Sequence, residues 1–244
     1  MKHDDRFRRF AGWTAVFSAP LAYSTIVLSF AGVGGDVTSF DTAVYQNAAA
    51  ILPLLSQKPY LSLWSSLLDF FGFYLLLIPL AVYLWYWLHP QKPEWTTFFS
   101  ICGLGYLLFG AMGAAVLAVI FPSQAVLYGQ TSGAEQQMAV AIFTVVGDAV
   151  QRAIWGLLDP LLGGIWWLGI GWLLLPELSR RGKRPFLAWL SLILGIVNLL
   201  SGLGEMLSIP FLVSTGLGLY FFLAPMWAAW MGIQLLRPSP SKTT

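Results

Sequence analysis

The stretch YLSLWSSLLDFFGFYLLLIPLAVYLWYWL, Tyr60 to Leu88, holds a single charged residue, Asp69, in an otherwise apolar and aromatic run. A helix needs about 20 such residues to cross the roughly 30 Å hydrocarbon core of a bilayer. Five more runs of this kind flank it: Gly12 to Val33, Thr97 to Phe121, Asp159 to Leu178, Phe186 to Ile209 and Val213 to Leu236. Composition points the same way. Of 244 residues 57% are hydrophobic and 10% charged, with a mean hydropathy of +0.71, whereas soluble domains carry about 25% charged residues. The 12 Trp and 9 Tyr suit the headgroup boundary, where amphipathic rings are favoured. The chain therefore reads as an all-α membrane protein with one domain of six transmembrane helices over residues 1–236, and a short cytoplasmic tail over 237–244. The opening MKHDDRFRRF is read as the lead into an uncleaved first helix, because the apolar run is long for a signal peptide and no small-x-small cleavage site follows.

Orientation follows from Lys and Arg in short loops. With the N-terminus inside, the cytoplasmic side receives eleven of them, among them Arg6, Arg8, Arg9, Lys92 and the basic loop Arg180 to Arg184, and the outer side only Lys58 and Arg152. Both termini are expected to be cytoplasmic.

Ala134 to Leu158 is apolar enough to imitate a span. Its polar residues Gln137, Thr144, Asp148, Gln151, Arg152 and Asp159 recur at helical spacing, which predicts an amphipathic helix at the outer face. A turn at Asp159-Pro160 would follow, with Asp as cap and Pro at the first helical position. A similar outer segment, Ser39 to Gln57, follows the first span. The parallel extends to QNAAAI at Gln46 against QMAVAI at Gln137, Leu67-Leu68-Asp69 against Leu157-Leu158-Asp159, and Leu104-Gly105 against Leu194-Gly195. Three like-oriented helical hairpins are one reading of these offsets, and chance matching in a restricted alphabet is the other.

Ionisable groups at membrane depth are costly, so they are the first functional candidates. Asp69, Asp148, Arg152, Asp159 and Glu205 all fall in the outer half of the expected topology, and the inner half has no buried charge. This asymmetry predicts a polar pocket opening outward, lidded by the amphipathic segments. Each residue also has an ordinary reading. Asp159 reads as a helix cap, Asp148 and Arg152 as a surface pair at i and i+4, and Glu205 as reaching the headgroups. Asp69, flanked by Leu and Phe, needs a partner or water, and Arg152 is one such partner. Trp166 and Trp167 fall near mid-membrane, where a partner or a pocket is the expected neighbour.

Other chemistries find no residues here. Haem or metal sites want His or Cys within spans, but His3 lies in the N-terminal tail, His89 at the cytoplasmic end of the second span, and Cys102 is alone. No span holds a Lys for a Schiff base or a His to activate a serine. No cofactor is expected, and a net charge of +2 gives no ground for a nucleic-acid partner. Gly103, Gly105, Gly110, Gly113, Gly163, Gly164, Gly169 and Gly171 are read as helix-packing surfaces.

The opening RRFAGWTAVFSAPLAYS (from Arg8), the WWLGIGWLLL run (from Trp166) and the short basic loop before LAWLSLILGIVNLL (from Leu187) resemble families of small bacterial integral membrane proteins without an assigned function. The resemblance implies the six-helix membrane fold and carries no functional residue. The leading expectation is a non-enzymatic protein that binds a small or amphipathic ligand in an outward-facing pocket, as a sensor, carrier or accessory subunit beside a protein partner. A proton-coupled transporter using buried carboxylates and an intramembrane acid–base enzyme are the alternatives.

Overall fold

The computed structural model describes residues 5–33, 48–180 and 185–237. Among them no strand occurs. The α-helices are α1 (Asp5–Val33), α2 (Ala48–Gln57), α3 (Pro59–Asp69), α4 (Ile78–Leu88), α5 (Pro93–Gln130), α6 (Ala134–Asp148), α7 (Asp159–Arg180), α8 (Phe186–Met206) and α9 (Pro210–Leu236). A π-helical stretch, Phe70–Tyr74, and a 3₁₀ turn, Leu75–Leu77, carry α3 into α4. A second π-helical stretch, Ala149–Leu158, carries α6 into α7. Six helical units are long and apolar enough to cross a membrane: Asp5–Ser29, Pro59–Leu88, Pro93–Gln130, Ala134–Glu177, Phe186–Met206 and Pro210–Leu236. The chain is a multi-pass membrane protein. Part of the expected outer segment (39–47), the basic loop 181–184, the residues before Asp5 and the tail beyond Arg237 lie outside the described residues.

Proline marks several helix starts. Lys58-Pro59, Lys92-Pro93 and Ile209-Pro210 open α3, α5 and α9, because the first turn leaves its N–H groups unbonded and proline has none to lose. Asp159-Pro160 breaks this pattern and overturns the expected turn. Asp159 keeps helical dihedrals, φ −60° and ψ −53°, and its carboxyl accepts from Tyr74 through Oδ2 while Oδ1 is unbonded. The wider π-helical turns just before Pro160 give its ring room that a regular α-helix denies it.

The result is one long antiparallel hairpin. Phe121 stacks on Phe143, with ring centroids 4.0 Å apart. Further along, Trp155 donates from Nε1 to the Gly110 carbonyl at 3.2 Å, and Trp95 meets Trp172 edge-on. With its 38 residues, α5 is about 57 Å long at 1.5 Å per residue, well beyond what a bilayer core needs.

The spans form a closed ring in chain order, each packed on the next, with α1 and α9 closing it. Arg8 donates to the Arg237 carbonyl at 3.1 Å, so the start of α1 and the end of α9 lie at one end of the bundle. Glycines set the close approaches. A Cβ on Gly164 or Gly195 would press into Leu199 and Leu168 across the α7–α8 contact. All eight glycines read as packing surfaces do face a neighbouring helix. The α5–α6 turn passes through Gly133 at φ +64°, a left-handed conformation that glycine adopts freely.

The half of the ring toward the chain ends is solid. Trp166, Trp167, Trp227, Tyr106 and Phe73 fill it, none more than 2% exposed. Trp166 and Trp167 are therefore core residues, packed on other rings of the bundle rather than facing a pocket.

Candidate functional site

Above the aromatic plug the ring is hollow. A cavity of about 210 Å³ lies between the six spans at the end away from the termini. Much of its polar lining comes from residues at helical spacing on three of the walls. Ser62, Ser66 and Asp69 share one face of α3, Asn198, Ser201 and Glu205 one face of α8, and Thr25 and Ser29 one face of α1. Periods of three, four and seven return a side chain to the same face of a helix. Thr25, Ser62, Ser66, Asp69, Asp159, Asn198 and Ser201 are buried at 8% exposure or less.

Depth can be followed along every wall. Asp69, Asp159, Tyr74 and Tyr220 sit at the closed end, above the plug. Arg152 and Glu205 sit at the mouth, where side-chain exposure is 58% and 19%. Below the acids the Tyr106 and Tyr220 hydroxyls are hydrogen-bonded at 2.7 Å, which joins the cavity floor to the aromatic core.

The two deep acids are under-satisfied. Tyr74 donates from its hydroxyl to Asp159 Oδ2 at 3.3 Å. Asp159 Oδ1 and Asp69 Oδ2 are buried and have no hydrogen-bond partner. The basic residue on the cavity lining, Arg152, does not answer them. Its Nε donates to Glu205 Oε1 at 3.0 Å, from the π-helical stretch to α8. This pairing replaces both partners expected from the sequence, Asp148 and Asp69.

Four of the five acidic and basic candidates thus converge: Asp69, Asp159, Arg152 and Glu205 line one cavity. Asp148 does not; it borders a shallow outer depression with Arg152 and Glu205. Asp159 is a buried wall residue rather than a helix cap. Tyr74, Tyr220, Trp155 and Asn198 also line the cavity, beyond the residues expected from the sequence. The Asn198–Ser201–Glu205 spacing was the legible signal for α8. Nothing local marks Tyr74, whose backbone leaves helical geometry at φ −125° and ψ −70°.

Among the described residues no group of three or more His, Cys, Asp or Glu converges as a metal site would require. Fold and site define a multi-pass membrane protein with a polar cavity closed at one end. Comparison with protein-family models, curated proteins and solved structures found no match, so the resemblance drawn from sequence segments is carried no further.

Proposed function

We propose that the protein binds a small or amphipathic ligand in this cavity, from the non-cytoplasmic side, and acts as a sensor, carrier or accessory subunit. One observation carries the reading: two carboxyl oxygens, on Asp69 and Asp159, are buried against the cavity without a partner. Burying a polar atom unbonded is costly, and such a cost persists where a ligand or water completes the site. The apolar wall of Leu55, Leu117, Phe121, Val213 and Leu217 suits the less polar part of the same ligand.

The side is inferred from charge. Arg6, Arg8, Arg9, Lys92 and Arg237 lie toward the end with the termini, and Lys58 and Arg152 toward the cavity end. Basic residues stay on the cytoplasmic side of short-looped membrane proteins, so the cavity opens outward. The solid aromatic core below it weighs against a continuous transport path in this conformation.

Cysteine accessibility tests the reading. In a Cys102→Ala background, Ser66→Cys, Ser201→Cys and Glu205→Cys are treated in intact cells with a membrane-impermeant thiol reagent. Labelling from outside, fastest at position 205, is expected. Labelling only after the cells are opened would overturn the orientation, and no labelling in either case would overturn the cavity.

A further inference from the structure

The cavity has a specific chemical deficit, and the deficit names a ligand class. Its deep end holds two acids, each with a carboxyl oxygen that no donor of the lining reaches. Asp69 is 7% exposed and Asp159 5%; both line the cavity, and each carboxyl holds one oxygen without a hydrogen-bond partner. The Tyr74 hydroxyl is already given to Asp159 Oδ2. The one cationic side chain on the lining, Arg152, is held at the mouth by Glu205. An ammonium group supplies what is missing, because it brings two or three N–H donors and a positive charge to two acids at once. The rings of Tyr74, Tyr220 and Phe221 line the same cavity, and aromatic faces attract cations.

Size restricts the class further. At about 210 Å³ the cavity is smaller than the roughly 300–1,000 Å³ of pockets for drug-sized ligands. It suits a compact head with a short apolar chain directed past Leu117, Phe121 and Leu217 toward the mouth.

We infer that the cavity takes a protonated organic amine with an apolar substituent, its nitrogen held by the Asp69 and Asp159 carboxyls. This rests on the cavity being a ligand site at all, and the test separates the two claims. The full chain in lipid nanodiscs, carrying Cys102→Ala and Ser201→Cys, is labelled with a soluble maleimide in the presence of hexylammonium, 1-hexanol, hexanoate or potassium chloride. A parallel set uses Ser66→Cys. Hexylammonium is expected to slow labelling saturably, at concentrations about 10- to 100-fold below those needed for hexanol, as a charged hydrogen bond implies. Asp69→Asn or Asp159→Asn should remove that advantage and leave hexanol protection unchanged, which also shows that the variants are folded.

Equal protection by hexanol, or stronger protection by hexanoate, overturns the amine and leaves the cavity as a ligand site. Equal protection by potassium overturns it in favour of an inorganic cation. Protection that survives both Asn substitutions overturns the assigned residues. If no probe protects either cysteine, ligand binding in the cavity fails as well.

Discussion

Asp69 and Asp159 stand on different helices, each at the edge of a π-helical stretch, and both face one cavity. Asp69 directly precedes Phe70–Tyr74, and Asp159 directly succeeds Ala149–Leu158. A π-helical turn carries an extra residue and rotates the helix beyond it, and such turns concentrate at functional sites. Here the first stretch ends at Tyr74, which seats against Gly110 of α5 and donates to Asp159. The two irregular stretches are therefore joined through one hydrogen bond at the closed end of the cavity.

Tyr74→Phe should lower thermal stability. The ring keeps its place, while Asp159 Oδ2 loses its donor and both oxygens of that buried carboxyl are left unsatisfied. Stranding a buried acceptor costs about 1–3 kcal/mol. A melting curve in detergent showing no loss would mean that the 3.3 Å contact contributes nothing.

Asp69→Asn should keep the fold, with a melting temperature no lower than that of the parent. Arg152, the cation that the sequence offered as its partner, is bonded to Glu205, so no buried charge loses its counterpart. A drop as large as the several kcal/mol of a broken buried ion pair would show that Asp69 has a structural cation partner after all.

The mouth pair behaves differently. Arg152 and Glu205 are partly exposed, and an exposed pair is screened by salt and water. Arg152→Gln should leave the melting temperature unchanged at moderate ionic strength, and so should Asp148→Asn. A clear loss for Arg152→Gln alone would place the pair in a drier setting than its exposure indicates.

Gly110→Ala and Gly218→Ala form a matched test of the packing. A methyl at Gly110 would overlap the Tyr74 ring, whereas a methyl at Gly218 meets open space. Overpacking costs about 1–3 kcal/mol. Gly110→Ala should melt lower and disturb the cavity floor, and Gly218→Ala should be neutral or slightly stabilising, since alanine is the better helix former. Equal effects would contradict the seating of Tyr74 against α5.

Closure of the ring beside α1 can be trapped. Ser29 and Ser65 hydroxyls are 2.6 Å apart, across the α1–α3 contact at the cavity end. A Ser29→Cys, Ser65→Cys pair in the Cys102→Ala background should form a disulfide under mild oxidation. After proteolysis between α1 and α3, the fragments should migrate together until a reductant is added.

The sequence alone determined the number of spans, because crossing 30 Å of hydrocarbon is a local demand on about 20 consecutive residues. It also marked the glycine faces, and the spacing of Ser62, Ser66 and Asp69, brought to notice only by the cavity, was open to the same reading, since helical period is local. Asp159-Pro160 misled, because the pair has the chemistry of a helix start and the π-helical widening that accommodates Pro160 depends on packing against α5 and α8. The partner of Arg152 lies 53 residues away on α8, and no spacing rule links residues on separate helices. Whether Asp69 meets a cation, lipid or an empty polar hollow was likewise decided by which helices closed the ring around it. In a membrane that outcome depends on helix-to-helix fit, made by glycines and aromatic volumes, and fit is a property of surfaces that come together only in the folded bundle.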